Sequence, residues 1–337
     1  MMKRFFCYLG IGVFLASCGS QIPPDQIISQ KYVHKYGFDL SEQEWDARAQ
    51  EGQVIATLHN GVTITQTYEN GLLHGPTAYT FPNSSTIEKV SLYNQGVLLK
   101  ETLHDTRGVP MREEMYEFEN RTILTLWSEK GIPLSVEEYH EDTLVSGKYY
   151  NPEHELESQV ENGKGFRLKR DRTGLLTEKD RMNNGELTER TTYHPNGQVH
   201  TVSNYQNYQL HGVQQKYTIS GRPLMSLEWD HGILHGLKTV YRNGLKVAEV
   251  PYLFGKKSGV ELHYDDLGNL IAQIPWRDDK KHGCSKSFTE DSTDSEWFFN
   301  GSTVSARKYE LLDMREQMIA EMRKNKEPTL EDDSSIQ

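Results

Sequence analysis

The chain has 337 residues, a net charge of −11 and a hydrophobic fraction of 36%. So low a hydrophobic fraction argues against a single thick core, and the negative charge disfavours nucleic acid as a partner. Its 18 tyrosines and 27 glycines are typical of short strands joined by tight turns.

The N-terminus has the pattern of an export signal. Lys3 and Arg4 precede an apolar run over Phe5–Leu15, and small residues follow up to Ser17 and Cys18. This pattern predicts a secretory signal peptide over residues 1–17, too short to span a bilayer. Leu-Ala-Ser-Cys resembles the lipobox of bacterial lipoproteins. The resemblance implies cleavage between Ser17 and Cys18 and acylation of Cys18, whereas an ordinary signal peptide is the alternative.

The three cysteines agree with a lipid anchor. Cys7 lies in the signal and Cys18 would carry lipid, so Cys284 alone remains and no internal disulfide is expected. Two or three acyl chains give stable attachment, which makes the lipid bilayer a predicted partner. Gly19 follows the cysteine, which in Gram-negative lipoproteins implies sorting to the outer membrane. The predicted location is therefore the bacterial cell envelope.

Two accessory segments precede the main body of the chain. Residues 18–40 contain Pro23 and Pro24 and are predicted to form a tether. Ser41-Glu42-Gln43-Glu44 resembles a capping box, which predicts a short capping helix over residues 41–52.

Residues 53–290 repeat about ten times with a period of about 23 residues. One column is a turn glycine, with Ser84 and His154 filling two gaps. Two further columns are mainly aromatic, and a fourth is the glycine of LHG or its equivalent. The glycines with a predicted structural role are Gly71, Gly75, Gly197, Gly212, Gly221, Gly232, Gly236, Gly244, Gly255, Gly259, Gly268 and Gly283.

Each unit is predicted to form two short strands, because polar glycine turns separate segments of six to eight residues. Asn-Gly, as in Tyr-Arg-Asn-Gly at 241–244, supplies the positive φ that tight hairpins need. The expected fold class is all-β, an elongated single-layer antiparallel meander. We expect its aromatic columns to stack as cross-strand ladders.

Two segments carry a family resemblance, GLLHGPTAY at 71–79 and GILHGLKTVY at 232–241. They resemble the MORN repeat, and the intervening Tyr-x-Asn-Gly segments resemble its bacterial variant in the YwqK-type antitoxin family. The resemblance is strong over 193–288 and weak over 98–190. It implies an elongated antiparallel sheet with a binding or scaffolding role and brings no catalytic residues.

The C-terminal region is predicted to contain an acidic loop over residues 291–304, an amphipathic helix over 305–326 and a disordered tail over 327–337. Leu311, Met314, Met318 and Met322 recur at helical spacing. We expect the helix to cap the open edge of the array. The alternative is that its Met-rich face docks a partner.

The repeating histidines suggest a metal site. His74, His211, His235 and His282 share one column. Successive members are two strands, or about 9–10 Å, apart, whereas zinc ligands lie only about 3.3 Å from one another. We therefore expect no metal and no cofactor. The shortened unit around residues 154–174 is the main irregularity and the candidate for a kink or a special binding surface.

The function that we predict is a membrane-anchored, non-catalytic binding or scaffolding module. Its partner would be a protein or an envelope polymer. A toxin-neutralising or immunity-type protein is the alternative that the family resemblance implies. A third possibility is an envelope glycan hydrolase, which would need a cleft with paired carboxylates.

Overall fold

The computed structural model describes residues 23–48 and 50–324. Over these residues the chain is all-β with two helices, and its strands form antiparallel meanders, so the predicted fold class is confirmed. The chain divides into two units, the first ending at Val109 and the second beginning at Pro110. The predicted signal peptide, the cleavage site at Ser17 and Cys18, and the tail beyond residue 324 lie outside the described residues.

The first unit contains eight strands and one helix: β1 (Ile27–His34), β2 (Asp39–Leu40), α1 (Glu42–Ala47), β3 (Gly52–Leu58), β4 (Thr63–Glu69), β5 (Leu72–Leu73), β6 (Gly75–Thr80), β7 (Ile87–Asn94) and β8 (Val97–His104). The predicted capping box starts α1, since Glu44 N–H donates to Ser41 Oγ and Ser41 N–H donates to the Glu44 carboxylate. The helix buries Trp45, whose ring centroid lies 5.5 Å from that of Tyr32 and 5.9 Å from that of Tyr68. A single aromatic side chain therefore fixes α1 against β1 and β4.

The predicted tether over residues 18–40 is wrong for its second half. Strand β1 pairs with β3 along its length, with Tyr32 opposite Val54, and β2 pairs with β1. Residues 27–34 are rich in the β-branched and aromatic types that suit a strand. They satisfy the backbone groups of β3, which would otherwise form an open edge.

The second unit contains twenty strands and one helix: β9 (Pro110–Tyr116), β10 (Arg121–Trp127), β11 (Pro133–His140), β12 (Thr143–Tyr150), β13 (Leu156–Glu161), β14 (Lys164–Arg170), β15 (Leu176–Asn183), β16 (Glu186–Tyr193), β17 (Val199–Gln206), β18 (Gln209–Tyr217), β19 (Pro223–Asp230), β20 (Ile233–Arg242), β21 (Leu245–Leu253), β22 (Lys256–Lys257), β23 (Gly259–Tyr264), β24 (Leu270–Arg277), β25 (Lys280–Lys281), β26 (Gly283–Phe288), β27 (Thr293–Phe299), β28 (Ser302–Val304) and α2 (Ala306–Lys324). Strands β27 and β28 replace most of the predicted acidic loop. Thr293–Phe299 pairs with β26, because its C-terminal half, Glu-Trp-Phe-Phe, provides the apolar side chains of one more strand.

Left-handed backbone conformations occur at both ends of the hairpins. Many two-residue turns have positive φ at both residues, the pattern of type I′ turns, as at Asn162-Gly163 and Asn243-Gly244. The gap in the turn-glycine column that we assigned to Ser84 is instead filled by Asn83, with φ 54°, and the other gap by His154, with φ 67°. Asparagine and histidine tolerate this region better than most residues that carry a Cβ.

The glycines of the fourth column lie directly across from the aromatic column. Such pairs are Gly75–Tyr93, Gly212–Trp229, Gly236–Tyr252, Gly259–Trp276 and Gly283–Phe298. The predicted ladder of stacked rings is therefore wrong for these strands, where each ring faces a residue without a side chain. The reason is that successive rings are two strands, or about 9–10 Å, apart.

The face with the glycine–aromatic pairs holds most of the buried residues, and we call it the inner face. Thr77 and Ser91 lie opposite each other two residues from the Gly75–Tyr93 pair, and each is only 1% exposed. In the second unit the buried Leu227 and Glu261 occupy equivalent positions. The densest packing surrounds the shortened unit, with the core residues Leu144, Tyr149, Val160, Leu168 and Met182.

The sheet bends sharply within the shortened unit. Strands β13 and β14 pair at only two positions, Val160–Gly165 and Glu161–Lys164. Strand β14 reaches back to β11, since Arg167 Nε lies 2.7 Å from Glu137 Oε1. Three flat strand intervals would separate these strands by about 14 Å. Cα atoms of β11 and β14 also lie within 8 Å of each other, so the sheet bends towards its inner face, in agreement with the predicted kink.

Candidate functional site

A buried carboxylate that accepts hydrogen bonds at both of its oxygens lies on the inner face. Glu137 in β11 is 2% exposed. Arg167 Nε and Nη2 donate to its two oxygens at 2.7 and 2.8 Å. The hydroxyls of Tyr139 and Tyr149 donate to the same carboxylate at 2.6 and 3.0 Å. Four donors from three residues therefore hold one buried anion.

This hydrogen-bond network shifts the pKa values of Tyr139, Tyr149 and Arg167. Burial, followed by the charge of Glu137, raises the pKa of both Tyr139 and Tyr149. Burial opposes the charge on Arg167, but its hydrogen bonds and attraction to Glu137 prevail and raise its pKa. The phenols therefore stay protonated and the guanidinium stays charged. A carboxylate with this many donors is suited to holding strands together, and poorly placed to accept a proton from a substrate.

A second charged pair continues across the inner face. Arg167 lies opposite Asp180, which lies opposite Arg190. Arg190 Nε and Nη2 donate to the two oxygens of Asp180 at 2.7 and 2.8 Å, and Asp180 is 1% exposed. We call Glu137, Arg167, Asp180 and Arg190 the inner charged row.

Sequence reasoning missed the inner charged row. Its signal was nevertheless present, because Glu137 and Asp180 each stand two residues before the aromatic column, at Tyr139 and Met182. Positions two apart on a strand share a face. Their charges alternate in sign across the strands, which predicts pairing once the face is known.

The periodic histidines pack beside the turn of the next hairpin. His74 Nδ1 accepts the Gln95 N–H at 3.4 Å, and the His235 ring lies 5.1 Å from that of Phe254. A histidine of the column therefore contacts the neighbouring hairpin, while the next histidine of the column lies one repeat away. This placement agrees with the spacing argument against a metal shared within the column.

The outer face carries a row of apolar residues across six strands. Leu237 pairs with Pro251, Val260 pairs with Pro275, and Cys284 pairs with Trp297. We call these six residues the outer apolar row. Val260 is 48% exposed and the other five are half-buried, and the ring of Trp297 lies 5.0 Å from that of Tyr309 in α2. A contiguous apolar strip on the solvent side of a sheet is typical of an interaction surface.

The C-terminal helix packs by a different face from the one predicted. Leu311, Met314, Met318 and Met322 are all more than half exposed, so the helix does not pack on the sheet by this stripe. The helix instead packs through Tyr309, whose ring contacts those of Trp297, Phe299 and His282, and through an ion pair of 2.8 Å between Glu316 and Arg277. A large aromatic side chain at the start of the helix thus takes the place of the methionines.

Neither helix in the described ranges has an apolar stretch long enough to cross a bilayer. The membrane attachment that we predict at Cys18 falls in the part of the chain that is not described.

No family model and no curated protein matches the chain. Among solved structures, it is similar to TarM from S. aureus at 9% identity and a TM-score of 0.18, covering 34% of this chain and 21% of that one. It is similar to a TcdB2-TccC3-Cdc42 structure at 9% identity and a TM-score of 0.18, covering 72% and 19%. BamB from Moraxella catarrhalis is similar at 10% identity and a TM-score of 0.15, covering 73% and 81%. The chain thus spans about a fifth of the first two proteins, and similarities this weak carry no functional inference.

Proposed function

We propose that the protein is an envelope-anchored, non-catalytic binding module and that its outer apolar row engages a protein partner. The observation that carries the proposal is this row of Leu237, Pro251, Val260, Pro275, Cys284 and Trp297 on the solvent side of the sheet. In a chain with a hydrophobic fraction of only 36%, an apolar strip left towards solvent is a costly feature unless a partner covers it.

The dimensions of the row favour an elongated partner segment. Because α2 packs on Trp297 at one end, the open part of the row runs from Leu237 to Cys284. It crosses four strand intervals, or about 19 Å. A helix or an extended segment with one apolar edge would fit a strip of this length, because each provides side chains at regular spacing along one line. The net charge of −11 favours basic residues around the apolar edge of that segment.

Acylation of Cys18 would hold this surface close to a membrane. Asn60 N–H donates to Pro24 O, so the linker from Cys18 spans six residues and can reach at most about 22 Å. We expect Cys18→Ala to move the protein from the membrane fraction to the soluble fraction, while Cys284→Ala leaves it at the membrane. Retention of the Cys18→Ala protein in the membrane fraction would exclude this anchor.

The binding proposal is tested by in-cell photocrosslinking. A photoreactive residue at Val260 places the probe within the outer apolar row, and one at Gln215, which is also exposed on the outer face, serves as the control. We expect a defined protein to be captured at Val260 and not at Gln215. The purified partner should then bind the wild-type chain and lose affinity for Val260→Asp.

Other outcomes separate the competing functions. Capture of peptidoglycan or lipid alone would replace protein binding by a structural role in the envelope. A captured protein that is toxic when produced without this chain would identify the toxin-neutralising alternative. Equal capture at both positions, or none, would refute the outer apolar row as the binding surface.

A further inference from the structure

One repeat differs from the others at the turn beside its periodic histidine. Four backbone hydrogen bonds of the same kind define equivalent turns: Gly96 N–H to Leu73 O, Gly232 N–H to Leu210 O, Gly255 N–H to Leu234 O, and Gly301 N–H to Lys281 O. The residues before these glycines are Gln95, His231, Phe254 and Asn300. Of these four turns, the one beside His211 provides a second imidazole, and Asp230 precedes it.

Three ligand-type side chains converge at this turn. His231 Nδ1 lies 2.6 Å from Asp230 Oδ1, and His211 Nδ1 lies 3.3 Å from the same oxygen. The two imidazole centroids are 5.0 Å apart. One ligand atom from each residue can be chosen so that all three lie within 4.8 Å of one another. Zinc ligands lie about 3.3 Å from one another, so small side-chain rotations would bring these atoms onto one ion.

The immediate surroundings favour a cation. His211 Nδ1 is shielded from solvent and makes no hydrogen bond, although Asp230 Oδ1 lies 3.3 Å away. Imidazole and carboxylate together suit zinc and neighbouring divalent transition metals better than calcium or magnesium.

A second cluster of similar composition lacks these properties. His282, Asp313 and Glu316 also lie close together. However, Arg277 forms an ion pair with Glu316 at 2.8 Å and would compete with a metal. His282 Nδ1 already accepts the Asn300 N–H at 3.3 Å. The site beside His211 is therefore the stronger candidate.

We propose that His211, Asp230 and His231 form a binding site for one divalent transition metal of the zinc class. The three side chains are partly exposed, which leaves a fourth coordination position open to water, as in zinc sites with three protein ligands. The bound ion would link β18 to the turn between β19 and β20. The spacing argument against a metal in the histidine column does not apply, because His231 belongs to the adjacent turn and not to the column.

The repeat provides a matched variant for the test. His231→Phe places at this turn the residue that the next repeat has at position 254, so the packing against the periodic histidine is kept while a ligand is lost. We would titrate the full chain with Zn²⁺ by isothermal titration calorimetry, and record the visible spectrum of bound Co²⁺ as a second readout of coordination. His74→Gln removes a histidine of the same column elsewhere and serves as the control.

The wild type and His74→Gln should bind one Zn²⁺ with equal affinity. His231→Phe should bind it at least about 10-fold more weakly, because loss of a ligand costs no less than loss of a partner that orients one. Asp230→Asn, which keeps the side-chain shape, should also weaken binding and lose the Co²⁺ spectrum. Absence of Zn²⁺ binding by the wild type, or unchanged affinity in His231→Phe or Asp230→Asn, would overturn the proposal.

Discussion

Breaking the buried pair of Glu137 and Arg167 should destabilise the protein far more than removing the pair. Arg167→Leu takes away the two hydrogen bonds of 2.7 and 2.8 Å and leaves a carboxylate that is 2% exposed. Loss of one partner of a buried ion pair costs about 3–5 kcal/mol. The hydroxyls of Tyr139 and Tyr149 would remain as donors, so we expect the lower half of that range, about 3–4 kcal/mol.

A variant with Glu137→Leu and Arg167→Leu distinguishes the ion pair from the packing. It also carries Tyr139→Phe and Tyr149→Phe, because both hydroxyls would otherwise lose their acceptor. Both charges then leave the inner face, and similar apolar volume replaces them. Replacing a buried pair in this way is often neutral or stabilising. We expect this variant to be more stable than Arg167→Leu alone by about 2 kcal/mol or more, even though it carries three more substitutions.

The free energy of unfolding is measured by equilibrium urea denaturation, followed by tryptophan fluorescence and by far-UV circular dichroism. Asp39→Asn serves as the control, since it breaks an ion pair of 2.9 Å with Lys31 in which both side chains are more than half exposed. Such exposed pairs contribute about 0–1 kcal/mol. A cost for Arg167→Leu no larger than that of the control would refute the reasoning. It would mean that water reaches Glu137 and that β14 does not close against β11.

Two further predictions concern a turn and a buried acid. Gly163→Ala places a Cβ 2.3 Å from a backbone nitrogen of the next turn, whereas Gly197→Ala meets nothing within 4 Å. Both positions have positive φ, so each substitution should lower the free energy of unfolding, measured by thermal unfolding, by about 1–2 kcal/mol. Gly163→Ala should lower it by about 1–3 kcal/mol more. Equal losses would contradict the contact between the turn at Gly163 and the next turn. Burial opposes ionisation of Glu261, but Lys257 and His263 together outweigh it and lower its pKa below the ordinary 4.5. The extra stability of the wild type over Glu261→Gln should therefore be complete above pH 4.5 and disappear as the pH falls through the lowered pKa, and a pH-independent difference would contradict this.

The features predicted correctly from the sequence depend on short stretches of chain. Asn-Gly turns need only the preference of two residues for positive φ, and the capping box at Ser41 needs only four residues. The period of about 23 residues follows because the same turn chemistry recurs at fixed spacing. Strand and turn positions were therefore accessible without knowledge of the packing.

The features that were missed depend on which face each strand presents. The register shifts next to the aromatic columns, for example between Lys216 and Tyr217 and between Leu227 and Trp229. Each shift interrupts the alternation of period two on which face assignment relies. The inner charged row and the outer apolar row were hidden for this reason. Strand β1 was missed because its partner β3 lies about twenty residues away, beyond the helix α1.

Comparison of equivalent positions in the repeats distinguishes residues that the fold requires from residues that it only tolerates. The turn at His231 makes the same backbone hydrogen bond as the turn at Phe254, so the backbone does not demand a histidine there. The contact between Glu137 and Arg167 occurs where the sheet bends, which gives these two residues a structural reason. A departure from the repeat without such a reason is the stronger indication of a ligand. By this criterion the turn beside His211 is the first position to test for binding.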